Sequence, residues 1–224
     1  MNEVKMINEL KILEELGFYA YEDPNLVPII QALQIKNNSL WLIDGRYEQL
    51  EMQLPLVDNE LMENIDSALY LYQPLPVQRC FSIDREDLYE YPPTIFENQY
   101  LNSSLKKCDV NVDEVDEYED SHGNVHLITN LGDFLICPGK FRSSCTGTFQ
   151  KWQVVISKSL AMLNELLSRI DSSERFYVLH EEDQERITIV LLNPALFDFL
   201  RATKKSEQRH LPQPIKEYFK NLSS

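Results

Sequence analysis

Apolar residues recur at two periods along this chain, and the changes of period mark out its elements. From Phe149 the positions Phe149, Trp152, Ile156, Ser159, Leu163, Leu166 and Ile170 advance by threes and fours, and Val155, Leu160 and Leu167 widen the stripe. Gln150, Lys151, Ser157, Lys158, Asn164 and Glu165 fill the opposite face. At 3.6 residues per turn this is an amphipathic helix over about 148–170. Its stripe is wider than a two-stranded coiled-coil seam, so it predicts a helix laid over a sheet. Val125 to Thr129 and Asp133 to Cys137 are short runs of strand-forming residues separated by Asn130-Leu131-Gly132, which predicts a hairpin with glycine at a positive φ. Pro138-Gly139 ends it.

The same reading applies to the flanks. Asn2 to Leu16 has a helical stripe in Val4, Ile7, Leu10, Leu13 and Leu16, and Gly17 follows as a left-handed terminator. Asp23-Pro24 opens a second helix carrying Leu26 to Leu33. Asp44-Gly45 between Leu40–Ile43 and Arg46–Leu54 predicts a tight hairpin. Further expectations are a helix from Asp58 through Tyr70, a strand over Val77–Ile83 with Arg79 inside it, and a helix over Thr94–Lys107. After the long helix come a hairpin of Arg175–His180 with Arg186–Leu192, a short helix from Pro194 to about Arg201, and a helical tail at Ile215–Leu222. Strands come in adjacent pairs, not in strand–helix–strand alternation. The predicted class is α+β, a mostly antiparallel sheet built from hairpins and packed by the long helix and several shorter ones. A single domain over 1–224 is expected, sub-divided into an acidic N-terminal region (residues 1–108), an acidic loop (109–121), a central region (122–203) and a basic tail (204–224).

Charge changes this picture by making it uneven. The formal net charge is −15 over 224 residues. Up to Cys137 there are 8 basic against 26 acidic residues, or −18; from Pro138 there are 13 against 10, or +3. Such a field repels nucleic-acid phosphates and anionic lipid and attracts a basic protein. No apolar run approaches the length of a membrane span, and the first residues lack the apolar core of a signal peptide. Four cysteines, at 80, 108, 137 and 145, do not form a disulfide framework and are read as reduced thiols of a cytoplasmic protein.

Candidate chemistry is sparse. Seven of the twelve residues Asp109–Asp120 are acidic, which predicts an exposed loop. Asp109, Asn111, Asp113, Glu117 and Asp120 fall near calcium-loop offsets, but the sixth place, which needs glycine for the sharp turn, is Glu114. Cys145 precedes the long helix, whose N-terminus would favour a thiolate, and His122 or His126 could serve as its base. His122, His126, Cys137 and Cys145 are zinc-ligand types at spacings unlike those of zinc knuckles. No phosphate loop, nucleophile elbow or zincin motif occurs, and no cofactor or metal is expected. The tail carries Arg201, Lys204, Lys205, Arg209 and His210, which suits helix-end complementation or packing against acidic surface.

Tyr70, Tyr72, Tyr89, Tyr91 and Tyr100 lie among prolines within 31 residues. Tyrosines bury large area at little entropy cost, which suits recognition. The sequence therefore points to a non-enzymatic protein-binding module, an acidic inhibitor or immunity-type protein for a basic partner. Its expected binding residues are Tyr70, Tyr72, Tyr89, Tyr91, Asp113, Glu114, Asp116 and Glu117. The alternatives are a cysteine-dependent enzyme using Cys145, and a regulatory or scaffold subunit that associates with itself or with a larger assembly.

Overall fold

The computed structural model describes residues 3–37, 79–139, 148–179, 185–203 and 211–222, which fold as α+β. Two compact units divide the chain, Met1–Phe81 and Ser82–Ser224. The predicted hairpin at 40–54, the helix at 58–70, and with them Tyr70 and Tyr72, lie outside the described residues. So do Cys145 and residues 204–210 of the basic tail. No described helix is long and apolar enough to cross a membrane.

In the first unit, helix α1 (Glu3–Glu15) buries Met6, Leu10 and Leu13 and meets α2 (Val27–Asn37), which buries Ile29, Ile30 and Leu33. Helix α2 starts later than Pro24 predicts, because Asp23 turns its side chain onto the Asn25 N–H and forms a local turn first. Phe18 and Tyr19 fill the corner between the helices. The Tyr19 hydroxyl donates to the Gln34 amide oxygen, and burial raises the phenol's pKa well above its usual value. Arg79 is 1% exposed. Its Nε donates to the Phe18 carbonyl at 2.9 Å and its Nη2 to that of Gly17 at 3.0 Å, with the guanidinium 4.3 Å above the Tyr21 ring.

The strand predicted at Val77–Ile83 is β1 (Cys80–Asp84), with Arg79 just before it, and the chain enters the second unit within this strand. The Asp84 side chain then caps α3 (Arg85–Glu90) through the Glu86 and Asp87 amides. The single helix expected over 94–107 is broken in two. A 3-10 helix runs over Pro92–Phe96, and α4 (Gln99–Lys107) begins afresh where the Asn98 side chain accepts from the Leu101 N–H.

Strands β2 (Val115–Glu119), β3 (Val125–Thr129) and β4 (Gly132–Cys137) form an antiparallel sheet in that order. The predicted hairpin is therefore present. The acidic run expected to be a loop is exposed, but its second half is a strand. Polar Asp, Glu and Tyr side chains tolerate a position with solvent on one side, and Val115 sits opposite Thr129.

Helix α5 (Thr148–Arg169) packs on β4 and on β5 (Arg175–Leu179), burying Val155, Ile156, Leu160, Leu163, Leu166 and Leu167 as its stripe predicts. Strand β5 pairs antiparallel with β6 (Arg186–Leu192), the second predicted hairpin. Helix α6 (Pro194–Thr203) starts at the Asn193 cap. A short strand, β7 (Pro212–Pro214), then leads into α7 (Ile215–Leu222). The second sheet has the order β1-β6-β5-β7. The proline-rich β7 occupies its edge, where a missing N–H is tolerated.

Helices α1, α4 and α5 close in one way. After α1, Phe18 N donates to Leu13 O and Gly17 N to Glu14 O, with Gly17 at φ 81°. After α4, Val110 N reaches Leu105 O and Asp109 N reaches Lys106 O, with Asp109 at φ 62°. After α5, Ser172 N reaches Leu167 O and Asp171 N reaches Ser168 O, with Asp171 at φ 56°. This is the Schellman pattern, which favours glycine at the left-handed position. An aspartate there bears a Cβ penalty and sets a negative charge at the negative end of the helix dipole. Replacing Asp171 by glycine should therefore raise stability by about 0.5–1 kcal/mol, after allowing for glycine's extra unfolded-state entropy. The check is a thermal midpoint about 1–4 °C higher.

Candidate functional site

The three-stranded sheet gives the site two faces. Directly opposed residues share a face. The register therefore builds two outer rows, Asp116–Ile128–Asp133 and Tyr118–His126–Leu135. Three large apolar groups on this face stay exposed: Tyr118 at 40%, Ile128 at 43% and Leu135 at 38%.

A polar network ties the rows together. The Tyr118 hydroxyl donates to Asp133 Oδ2 at 2.6 Å, and its ring stacks on His126 with centroids 5.0 Å apart. His126 Nδ1 lies 2.8 Å from Asp133 Oδ1, and Nε2 lies 3.5 Å from Asp120 Oδ2. Hydrogen bonds from Tyr118 and then His126 hold the Asp133 carboxyl below the usual carboxylate range, while the bond to Asp133 raises the Tyr118 phenol. Both imidazole nitrogens thus face carboxylates. That arrangement fixes the ring between a strand carboxylate and a turn carboxylate.

Asp120 organises the turn at the end of this face. Its Oδ1 accepts from the backbone N–H of His122 at 2.8 Å and of Asn124 at 3.0 Å, and its Oδ2 from the Asn124 side-chain amide at 2.8 Å. Asn124 Oδ1 in turn accepts from Gly139 N at 2.8 Å, which locks the end of β4 onto the turn. The Asn124 side chain, its backbone N–H and that of His122 together hold the Asp120 carboxyl at a pKa of about 2. A folded-state pKa below the unfolded value of about 3.9 means stability that is present above it and lost as pH falls through the folded pKa. The stability difference between wild type and Asp120→Asn should therefore be constant above about pH 5 and narrow between about pH 4 and 2. Urea titrations at stepped pH check this; a difference independent of pH would remove the role assigned to the Asp120 charge.

The inner face borders a cleft of about 160 Å³. Tyr89 and Glu90 of α3, Glu117 of β2, Cys137 of β4 and Lys151 of α5 converge on it. The Lys151 ammonium sits 5.3 Å from the Tyr89 ring centroid, and Trp152 packs on Tyr89 at 5.6 Å. Burial pushes the Cys137 thiol up, Lys151 pulls it down and Glu117 pushes it up again. Cys137 is 3% exposed and its thiol donates to the Pro138 carbonyl at 3.8 Å, the environment of a buried structural cysteine.

Of the residues singled out in the sequence, Tyr89 and Glu117 are brought together in the cleft. Asp116 lies on the outer face, and Tyr91 is 52% exposed after α3. Asp113 and Glu114 are exposed just ahead of β2, and the Asp113 N–H is pinned by the Asn130 side chain at 3.1 Å. His122 is an exposed turn residue, and His126 belongs to the carboxylate network. Sequence reasoning does not reach Tyr118, Ile128, Leu135, Asp133 and Lys151 as site residues. An outward-facing period of two in 115–119 is the available signal, masked by its acidity.

Among the described residues no three His, Cys, Asp or Glu side chains cluster closely enough to hold a metal ion. The calcium spacing is dispersed: Asp109 terminates α4, Glu117 lies in an extended strand and Asp120 is committed to its turn. No protein-family model, curated protein or solved structure matches the chain.

Proposed function

We propose that this chain is a protein-binding module that docks a basic protein partner on the outer face of the β2–β3–β4 sheet. One observation carries the reading. Tyr118, Ile128 and Leu135 are exposed on a face that also bears the Asp116 and Asp133 carboxylates, and β2, β3 and β4 contain no lysine or arginine. Aromatic and aliphatic anchors supply burial on association, and the carboxylates select for cations and speed the encounter. The depressed pKa of Asp133 keeps its charge in place well into the acid range. An inhibitor that occupies the basic surface of a partner is one role such a face would serve.

A synthetic peptide of alternating arginine and leucine tests this directly, because its period of two matches the rows. Fluorescence anisotropy should show binding that weakens at least tenfold between about 50 and 500 mM salt as the Debye length contracts. Asp116→Lys and Leu135→Ser should each weaken it about tenfold, or 1.4 kcal/mol. Binding that neither salt nor these two substitutions alters would overturn the assignment.

A further inference from the structure

A histidine, the side chain suited to changing charge near neutral pH, sits at the centre of the outer face. His126 holds the middle of the Tyr118–His126–Leu135 row, and its side chain is 19% exposed. Among the described residues it meets a titratable group from each neighbouring element. These are the Tyr118 ring from β2, Asp133 from β4 and Asp120 from the turn, with His122 of that turn 4.0 Å from the same Asp120 oxygen. Asp116 stands one row away on β2. No lysine or arginine lies between Lys107 and Lys140, so His122 and His126 carry all the positive charge this stretch can acquire.

A neutral imidazole carries one proton. With the acceptor Asp133 Oδ1 at 2.8 Å, that proton belongs on Nδ1. Nε2 is then a bare lone pair facing Asp120 Oδ2 at 3.5 Å, closed off from solvent and without a hydrogen bond. A second proton turns this repulsion into an ion pair and places a cation between two carboxylates. The imidazolium is thus a built-in competitor, offering Asp133 at 2.8 Å the charge that a basic partner would bring. We infer that His126 gates the outer face, leaving its carboxylates to a basic protein partner while the ring is neutral and displacing that partner when the ring is protonated. The gate rests on the basic-partner reading of the same face. Affinity is present at the alkaline end of the histidine range and lost as pH falls through it.

The neighbouring groups hold their charge across that range. The Asp120 carboxyl, at about 2, and the depressed Asp133 carboxyl both stay ionised at about pH 5.5, and the raised Tyr118 phenol stays neutral at about pH 8.

The arginine–leucine peptide, blocked at both ends so that nothing on it titrates, tests the gate by anisotropy at one ionic strength. Its Kd should be about tenfold weaker at about pH 5.5 than at about pH 8. His126→Gln should bind at about pH 5.5 as tightly as wild type does at about pH 8, whereas His122→Gln should keep the wild-type ratio. Calorimetry of wild type at about pH 6, in two buffers of different ionisation enthalpy, needs no variant: binding should release protons. No binding at either pH overturns the basic-partner reading and the gate with it. Equal binding at both, binding without proton release, or a pH ratio that survives in His126→Gln or vanishes in His122→Gln overturns the gate alone.

Discussion

Arg79→Ala should lower the stability of the first unit by about 3–5 kcal/mol. The guanidinium is almost fully buried, and its Nε and Nη2 each serve a backbone carbonyl where the chain leaves α1. Hydrogen bonds from a charged donor contribute about 1.5–3 kcal/mol each, and the truncated side chain would leave both carbonyls without that donor in a buried setting. It would also vacate the space beneath the Tyr21 ring, 4.3 Å away. Arg79→Lys keeps the charge but cannot present two donors in a planar fork, so it should fall between wild type and alanine. Hydrogen exchange locates the effect: amides of α1 and α2 should lose protection. A change of less than about 1 kcal/mol in a urea titration would mean that these contacts do not hold the corner.

Asn164→Ala should cost about 2–4 kcal/mol, all of it in the second unit. The Asn164 side chain closes a two-way clamp on one residue of β5. Its Nδ2 donates to Phe176 O at 3.0 Å, and its Oδ1 accepts from Phe176 N at 2.7 Å. Two residues farther along β5, Val178 is opposite Gln213 of β7. Backbone groups alternate between the edges of a strand, so Phe176 and Val178 look the same way. The side chain of α5 therefore takes the next rung of the ladder where β7 has ended. Removing it takes two hydrogen bonds from the Phe176 backbone, at about 1–3 kcal/mol each when buried, discounted here because the site is part-buried. Asn164→Asp should be no better than alanine, since it replaces the donor with a charge facing the Phe176 carbonyl. Denaturant midpoints for the three proteins check the order.

Asn164 also shows where reading the sequence stops. The hydrophobic period places α5 and its buried stripe to within a residue or so, and it puts Asn164 among solvated positions beside Glu165. Periodicity reports which face is apolar; it carries no record of a polar residue that finishes a sheet. Glycine and asparagine signals are dependable where the turn chemistry is local, as at Gly17 and in the 125–137 hairpin. They fail where two local signals compete, as at Asn98, which restarts a helix inside what reads as one continuous pattern. Strand β2 is hidden by its carboxylates and β7 by its prolines, because both are edge positions where neighbours, not propensity, decide. The cleft is least accessible of all. Tyr89, Glu117 and Lys151 are brought together by sheet register and helix packing across more than sixty positions, and no local spacing encodes that.

The junction at Gly139 has a consequence for how this sequence can diverge. A Cβ there would lie 2.3 Å from the His122 carbonyl oxygen and 2.9 Å from the Gly123 carbonyl carbon, both backbone atoms that cannot step aside. Aliphatic core positions such as Leu160 can exchange among residues of similar volume at modest cost. Asp120, Asn124 and Gly139 have no such latitude, since the first two satisfy backbone donors and the third admits no side chain. Descendants of this chain should keep an Asp-x-x-Gly-Asn turn with a glycine fifteen residues beyond it, long after the core between them has become unrecognisable.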